Sequence, residues 1–233
     1  MDVSSFFDAQ AEAYHANVGP MTPFHVLTAR RIEAGIAGTV VSVGGLWAQF
    51  DLRGRDDLDV HVVDVSPRML EAWQGRGVRT VVGDARRLPF ADHSVDHVVF
   101  ALVLHHITDG GFRASRAQLE AVFTELKRVL KPGGRVWISD FAVGAAVYAL
   151  EAVSSPITKR LLGRAGIPLV VMHRAETYRG RLAAAGFSDV DVHFPAPEST
   201  SAFDVLTPVI GLPWLRVPRA AYPLRPVLVT AVR

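Results

Sequence analysis

The sequence predicts an α/β fold built on a doubly wound, mostly parallel sheet. Three observations predict it. Short β-branched runs alternate with segments of helical periodicity. One of those runs, LDVHVVDV (58–65), shows little polar alternation, as a parallel strand covered on both faces requires. The joining turns are short, as in βαβ units.

Residues 3–17 and 23–36 read as two helices separated by Gly19, Pro20 and Pro23. TVVSV (39–43) is a first strand and LDVHVVDV a second. SPRMLEAWQGRG then opens a helix, with Ser66 as N-cap and Pro67 in the first turn. VRTVVGD (78–84) and SVDHVVFALV (94–103) are strands three and four. Residues 113–134 form an amphipathic helix whose apolar face carries Leu119, Val122, Phe123, Leu126 and Leu130, and Pro132-Gly133-Gly134 is expected to end it. RVWISDF (135–141) is strand five. The rhythm breaks over 142–173, an apolar helical insertion. A helix ending at Gly186, a strand at 187–194 and the terminal PVLVTAVR follow, which makes seven strands in one sheet. The organisation expected is a single domain over 1–233, with a helical lid (1–37), a ligand-binding core (38–141), the insertion (142–173) and a C-terminal helix with strands (174–233).

Composition narrows the function. With 49% apolar residues the chain can bury a core, which excludes a disordered reading. It has no Cys, so thiolate nucleophiles, disulfides and Cys-based zinc sites are excluded, and a reducing cytoplasm fits. The net charge is +2 and the basic residues are scattered, so no nucleic-acid footprint is expected. FAVGAAVYALEAV (141–153) is the most apolar stretch, but it is too short to span a bilayer, and the N-terminus does not read as a signal peptide. No Glu/His spacing suggests a metal site.

Ligands of open parallel sheets bind beyond the carboxyl ends of the strands. Here those ends carry Gly44-Gly45, then Asp64 twenty residues beyond Gly44, then Gly83-Asp84-Ala85, then LHHITD. A carboxylate at the second strand's tip can accept hydrogen bonds from ribose hydroxyls while the first turn packs on the same nucleoside.

The stretches VVDVSPRMLEAW, GDARRLPFADHSVDHVVFALVLHHI and ELKRVLKPGGRVWISD carry a resemblance. In this order and spacing the chain resembles a class I S-adenosylmethionine-dependent methyltransferase of the small-molecule, ubiquinone/menaquinone-biosynthesis type, from about Phe6 to Phe187. The resemblance implies a Rossmann-like methyltransferase fold, S-adenosylmethionine as cofactor and S-adenosylhomocysteine as product. It implies that Gly44 and Gly45 let the cofactor approach the backbone, that Asp64 binds the ribose diol, and that Val65 and Met69 line the adenine. It places Asp84 at the adenine amino group, the Ala85 backbone beside it, Ala101 near the sulfonium and Tyr14 over the methionine part. The expected function is methyl transfer to a small, partly hydrophobic molecule.

The first turn departs from the family pattern. Ser42 stands where an acid is usual, Leu46 and Ala48 replace later glycines, and Trp47 adds bulk. Three outcomes stay open: Ser42 supplies a hydroxyl instead, an altered pose supports a non-methylating reaction, or the site is lost and a scaffold remains. His105 and His106, after strand four, are the candidate catalytic bases, since imidazole suits proton abstraction near neutrality. The competing reading gives them a structural role in holding the loop. His15, His25 and His173 read as surface or lid groups, and Asp92, Asp96 and Asp109 as turn residues. Phe24, Phe141, Tyr148, Met172, Phe203 and Trp214 are expected to supply the acceptor wall.

Overall fold

Strand β1 (Gly38–Val43) lies at the centre of the sheet, its last four residues buried on both faces. It pairs in parallel with β2 (Leu58–Asp64) on one side and with β4 (Val95–Ala101) on the other. β3 (Arg79–Val82) extends the β2 side and β5 (Leu130–Val143) the β4 side. Beyond β5, the antiparallel β9 (Leu224–Val232) is followed by β6 (Ser188–His193), giving the seven-stranded order β3-β2-β1-β4-β5-β9-β6. The strand order reverses between β1 and β4, where ligands of such sheets bind. The computed structural model describes residues 3–17, 23–45, 55–108, 111–195, 206–209, 212–218 and 224–233. The side chains of 13–17, 23–27, 206–209 and 212–218 are not among those described.

Helices α1 (Val3–Asn17) and α2 (Pro23–Glu33) precede the sheet. After β2, Ser66 accepts the Met69 amide at 3.1 Å as the N-cap of α3 (Pro67–Leu70), as the Ser-Pro signature predicts. A 3₁₀ turn over Glu71–Trp73 completes that short element. α4 (Phe112–Val129) buries Leu119, Val122, Phe123 and Leu126 against the sheet. It ends earlier than the Pro-Gly-Gly signal suggests. Lys131 precedes Pro132 and is biased toward extended backbone, and Leu130 already pairs with Val95, so residues 130–134 join β5.

The insertion is one long helix, α5 (Ala145–Arg164), which runs through Pro156. Proline removes the donor for the Ala152 carbonyl, and the Ser155 hydroxyl supplies another at 3.2 Å. α6 (Ala175–Ala184) packs Tyr178 and Leu182 into the main core. The pair β7 (Leu206–Val209) and β8 (Leu212–Pro218) forms a separate two-stranded sheet that the proline-rich C-terminal sequence does not announce. Asp96 is a strand residue rather than a turn residue. It sits in β4, where its carboxylate accepts Lys131 Nζ and the Thr39 amide and ties β1 to the start of β5.

Candidate active site

The turn after β1 is built by packing. Gly44 has φ +79°, and its amide donates to Val63 O at 2.8 Å. A Cβ there would stand 1.9 Å from Val103 Cγ2, so only glycine fits both the conformation and the space. Ser42 is fully buried, and its hydroxyl donates to the Gly45 carbonyl at 2.5 Å. Its hydroxyl therefore closes the turn. The Trp73 indole lies beside Gly45. Leu46, Trp47 and Ala48 lie outside the described residues.

A cavity of about 370 Å³ opens at the strand tips, within the range of small-molecule sites. Its wall includes Gly44, Asp64, Val65, Met69, Asp84 and Ala85, the cluster that the sequence assigns to a nucleoside. His105 and His106 line its other end. Val3, Ser4 and Phe7 of α1 cover it, and Ser4 Oγ donates to the Val65 carbonyl at 2.9 Å. α1 thus borders the cavity on that side. Tyr14 belongs to α1, but its side chain is outside the described residues, as are those of His15, Phe24, His25, Asp109, Phe203 and Trp214. Gly45 and Ala101 stand off the cavity wall. Leu102 and Val103, just beyond Ala101, take that place. Leu102 has φ +58°, strained for a branched side chain, and its amide is held by Ser139 O at 2.9 Å. Phe141, Tyr148 and Met172 are not part of this wall either. Tyr148 packs on Phe112, with ring centroids 4.9 Å apart.

The two carboxylates differ. Asp64 accepts the Ser66 amide at 2.8 Å, and Ser66 Oγ donates in turn to Asp8 of α1 at 2.5 Å. Burial pushes the Asp64 carboxyl up to about 6, with the nearby Asp8 charge adding to it. A carboxylate so desolvated is short of donors, and a vicinal diol would supply two. Asp84 is already satisfied. The Arg86 guanidinium forks onto both its oxygens through Nε and Nη2, at 2.5 to 3.0 Å, and the Arg86 amide adds 2.8 Å. Burial works against ionisation of Asp84, but Arg86 outweighs it and holds the carboxyl below its ordinary value. Arg86, which also reaches Gln118 of α4 at 2.8 Å, is a wall residue that the sequence reading missed.

At the opposite end, His105 Nδ1 lies 2.6 Å from Asp140 Oδ1. Asp140 is fully buried at the end of β5, accepting the Phe141 amide at 2.8 Å and the Tyr178 hydroxyl at 3.2 Å. Burial would raise its carboxyl, but His105 and the Phe141 amide outweigh that and keep it low, so it is an anion. An anion at this place assigns the His105 proton to Nδ1 and leaves a lone pair on Nε2. His106, its ring tilted against that of His105 with centroids 4.2 Å apart and edge-on to Phe7 at 5.0 Å, has an unpartnered buried Nδ1. Burial, with His105 beside it, pushes its imidazole down to about 3, so it is neutral. His173 is not a surface group: it is fully buried against Tyr178, ring centroids 5.7 Å apart, and burial pushes it down to about 4. Asp140 and Tyr178 were not singled out in the sequence. The one available signal was an acid closing the apolar run RVWIS at the ligand end of β5. No cluster of His, Cys, Asp or Glu suited to a metal occurs among the described residues.

A switch-point cavity with a glycine turn, two carboxylates at neighbouring strand tips and this strand order together form the class I methyltransferase fold. Residues 41–138 match the family described as "Methyltransferase domain", which spans β1 through most of β5. Residues 41–138 thus carry a methyltransferase domain, and the fold of the chain is that of the class I methyltransferases.

Among curated relatives, the demethylmenaquinone methyltransferase of Corynebacterium glutamicum is 43% identical over 79 residues, 34% of this chain and 30% of that one. That of Mycolicibacterium vanbaalenii is 33% identical over 147 residues, 54% of this chain and 58% of that one. The chain therefore spans a third to somewhat over half of these relatives. The phosphoethanolamine N-methyltransferase 2 of Haemonchus contortus, solved with S-adenosylhomocysteine, superposes with a TM-score of 0.64 at 19% identity, covering 100% of this chain and 61% of that one. A geranyl diphosphate methyltransferase solved with S-adenosylmethionine gives 0.55 at 19% identity, covering 97% and 85%. At such identities the likeness concerns the fold.

Proposed function

We propose that the protein transfers the methyl group of S-adenosylmethionine to a small, partly hydrophobic acceptor, releasing S-adenosylhomocysteine in the cytoplasm. Asp64 holds the ribose diol, Val65 and Met69 flank the adenine, and the Ala85 backbone and the Asp84–Arg86 pair border its edge. The bound cofactor supplies an electrophilic methyl group. The protein's task is then alignment, exclusion of water and acceptance of one proton. α1 closes the cavity through Val3 and Phe7. His105 takes the acceptor proton on Nε2, and Asp140 fixes the ring and balances the imidazolium that forms. His106 stays neutral and polar at the cavity wall. The relatives named for demethylmenaquinone agree with a partly hydrophobic acceptor.

The observation that carries this reading is the His105–Asp140 pair opening into the same cavity as Asp64. Calorimetry with S-adenosylmethionine and S-adenosylhomocysteine tests the first half. No heat at millimolar ligand rejects it. Mass spectrometry of the cofactor after incubation with candidate phenols and hydroxylated quinols tests the second. S-adenosylhomocysteine formed only with an acceptor present is expected, and methylthioadenosine would show that another bond breaks.

A further inference from the structure

α5 is unlike the other helices. Over twenty residues it buries none. Its inner side, with Tyr148, Glu151, Ser155 and Leu162, is partly covered. Its outer side carries Leu150, Val153, Ile157 and Leu161, exposed by 69%, 80%, 67% and 59%. Their spacing of three, four and four puts them on one stripe along the helix. Ile167, just past the helix end, continues the apolar surface at 44% exposure. Isolated exposed leucines are ordinary, but four in a row on one helix are not.

The charges on the same side have one sign. Arg160 and Arg164 are both exposed. At 100° per residue, Arg160 lies beside the stripe and Arg164 within it. The helix's one acid, Glu151, turns inward, and burial pushes its carboxyl up to about 7. The outer face is therefore apolar and cationic, with no carboxylate. A second copy of the chain paired through this face would set cations against a surface that offers no anion. A lipid surface rich in anionic headgroups offers both complements at once: acyl chains for the stripe and phosphates for the cations.

We propose that the outer face of α5 docks the protein onto an anionic membrane surface. α5 lies along the interface, with Leu150, Val153, Ile157 and Leu161 entering the headgroup boundary and Arg160 and Arg164 meeting phosphates. No described helix is long and apolar enough to cross a membrane, so this contact is peripheral. The inference goes beyond the reading of the cavity and stands without it.

The test uses the full chain, sedimented with vesicles of phosphatidylcholine alone or with one third phosphatidylglycerol. Binding is expected to the anionic vesicles only, and to weaken with added salt. Val153→Glu with Ile157→Glu should abolish it, while thermal midpoint and circular dichroism stay unchanged because both side chains face water. Arg160→Ala and Arg164→Ala should each weaken binding roughly fivefold, the ratio that about 1 kcal/mol per basic residue implies. No binding to anionic vesicles overturns the proposal. So does binding that survives the double glutamate variant, which would mean diffuse charge attraction. A dimer formed without lipid and dissociated by that variant would assign the face to self-association instead.

Discussion

Asp64→Asn separates what the site costs from what it does. Burial raises the Asp64 carboxyl well above the ordinary carboxylate range, to about 6. At 1.36 kcal/mol per unit this makes the ionised side chain a burden of about 3 kcal/mol on the folded protein at pH 7.5. The sign follows from proton counting. Between pH 4 and 6 the folded state holds the Asp64 proton and the unfolded state does not, so stability falls as pH rises through that window and is level above it. Asn keeps an acceptor for the Ser66 amide and carries no charge. Urea unfolding should show the variant more stable than the parent by up to about 3 kcal/mol at pH 7.5, shrinking to roughly a third of that at pH 4.5. Calorimetry with S-adenosylhomocysteine should show the opposite sense. Losing a charged acceptor for two hydroxyls weakens binding by roughly tens- to hundreds-fold. In the parent, affinity should fall as pH drops through about 6, where Asp64 takes up its proton. A variant no more stable at pH 7.5 would refute the desolvation argument, and parental affinity in it would refute the ribose assignment.

Four further outcomes follow from the geometry. Gly44→Ala forces an L-residue to φ +79° and a Cβ onto Val103, so it should cost about 2–4 kcal/mol in urea unfolding, only partly recovered by adding Val103→Ala. His105→Gln should lower turnover roughly 10²–10⁴-fold with cofactor affinity retained, as measured by calorimetry beside an assay of S-adenosylhomocysteine release. Asp140→Asn should approach the same loss, because an amide can leave the His105 proton on the wrong nitrogen; ¹⁵N shifts of the imidazole report which nitrogen carries it. His106 and His173 are buried neutral at about 3 and 4, so the unfolded chain binds more protons below pH 6.5 and stability falls on acidification from 6.5 toward 3; His173→Phe should flatten that limb in pH-dependent thermal melts.

The elements legible in the sequence were those coded locally. Ser66 and Pro67 start α3 because a hydroxyl acceptor and a fixed φ are properties of those residues alone. The β-branched runs become β1, β2, β4 and β5 because a strand buried on both faces needs them. Asp64, Asp84, His105 and His106 could be placed at strand ends, since the order of elements puts them on one rim. The end of α4 was misread because Leu130 has two claims on it, the helix and the Val95 pairing, and only the sheet decides between them.

The sequence by itself determined which residues stand at the cavity edge, because strand ends and turns are short-range matters of backbone and solvation. What those residues do depended on neighbours brought from far along the chain. Ser42 faces inward because its hydroxyl meets Gly45 O inside a fully packed strand end. Arg86 takes the Asp84 carboxylate, and Asp140 and Tyr178, from β5 and α6, come together behind His105. Charge and hydrogen bonding act through space at 3 Å, and only the folded sheet sets those distances.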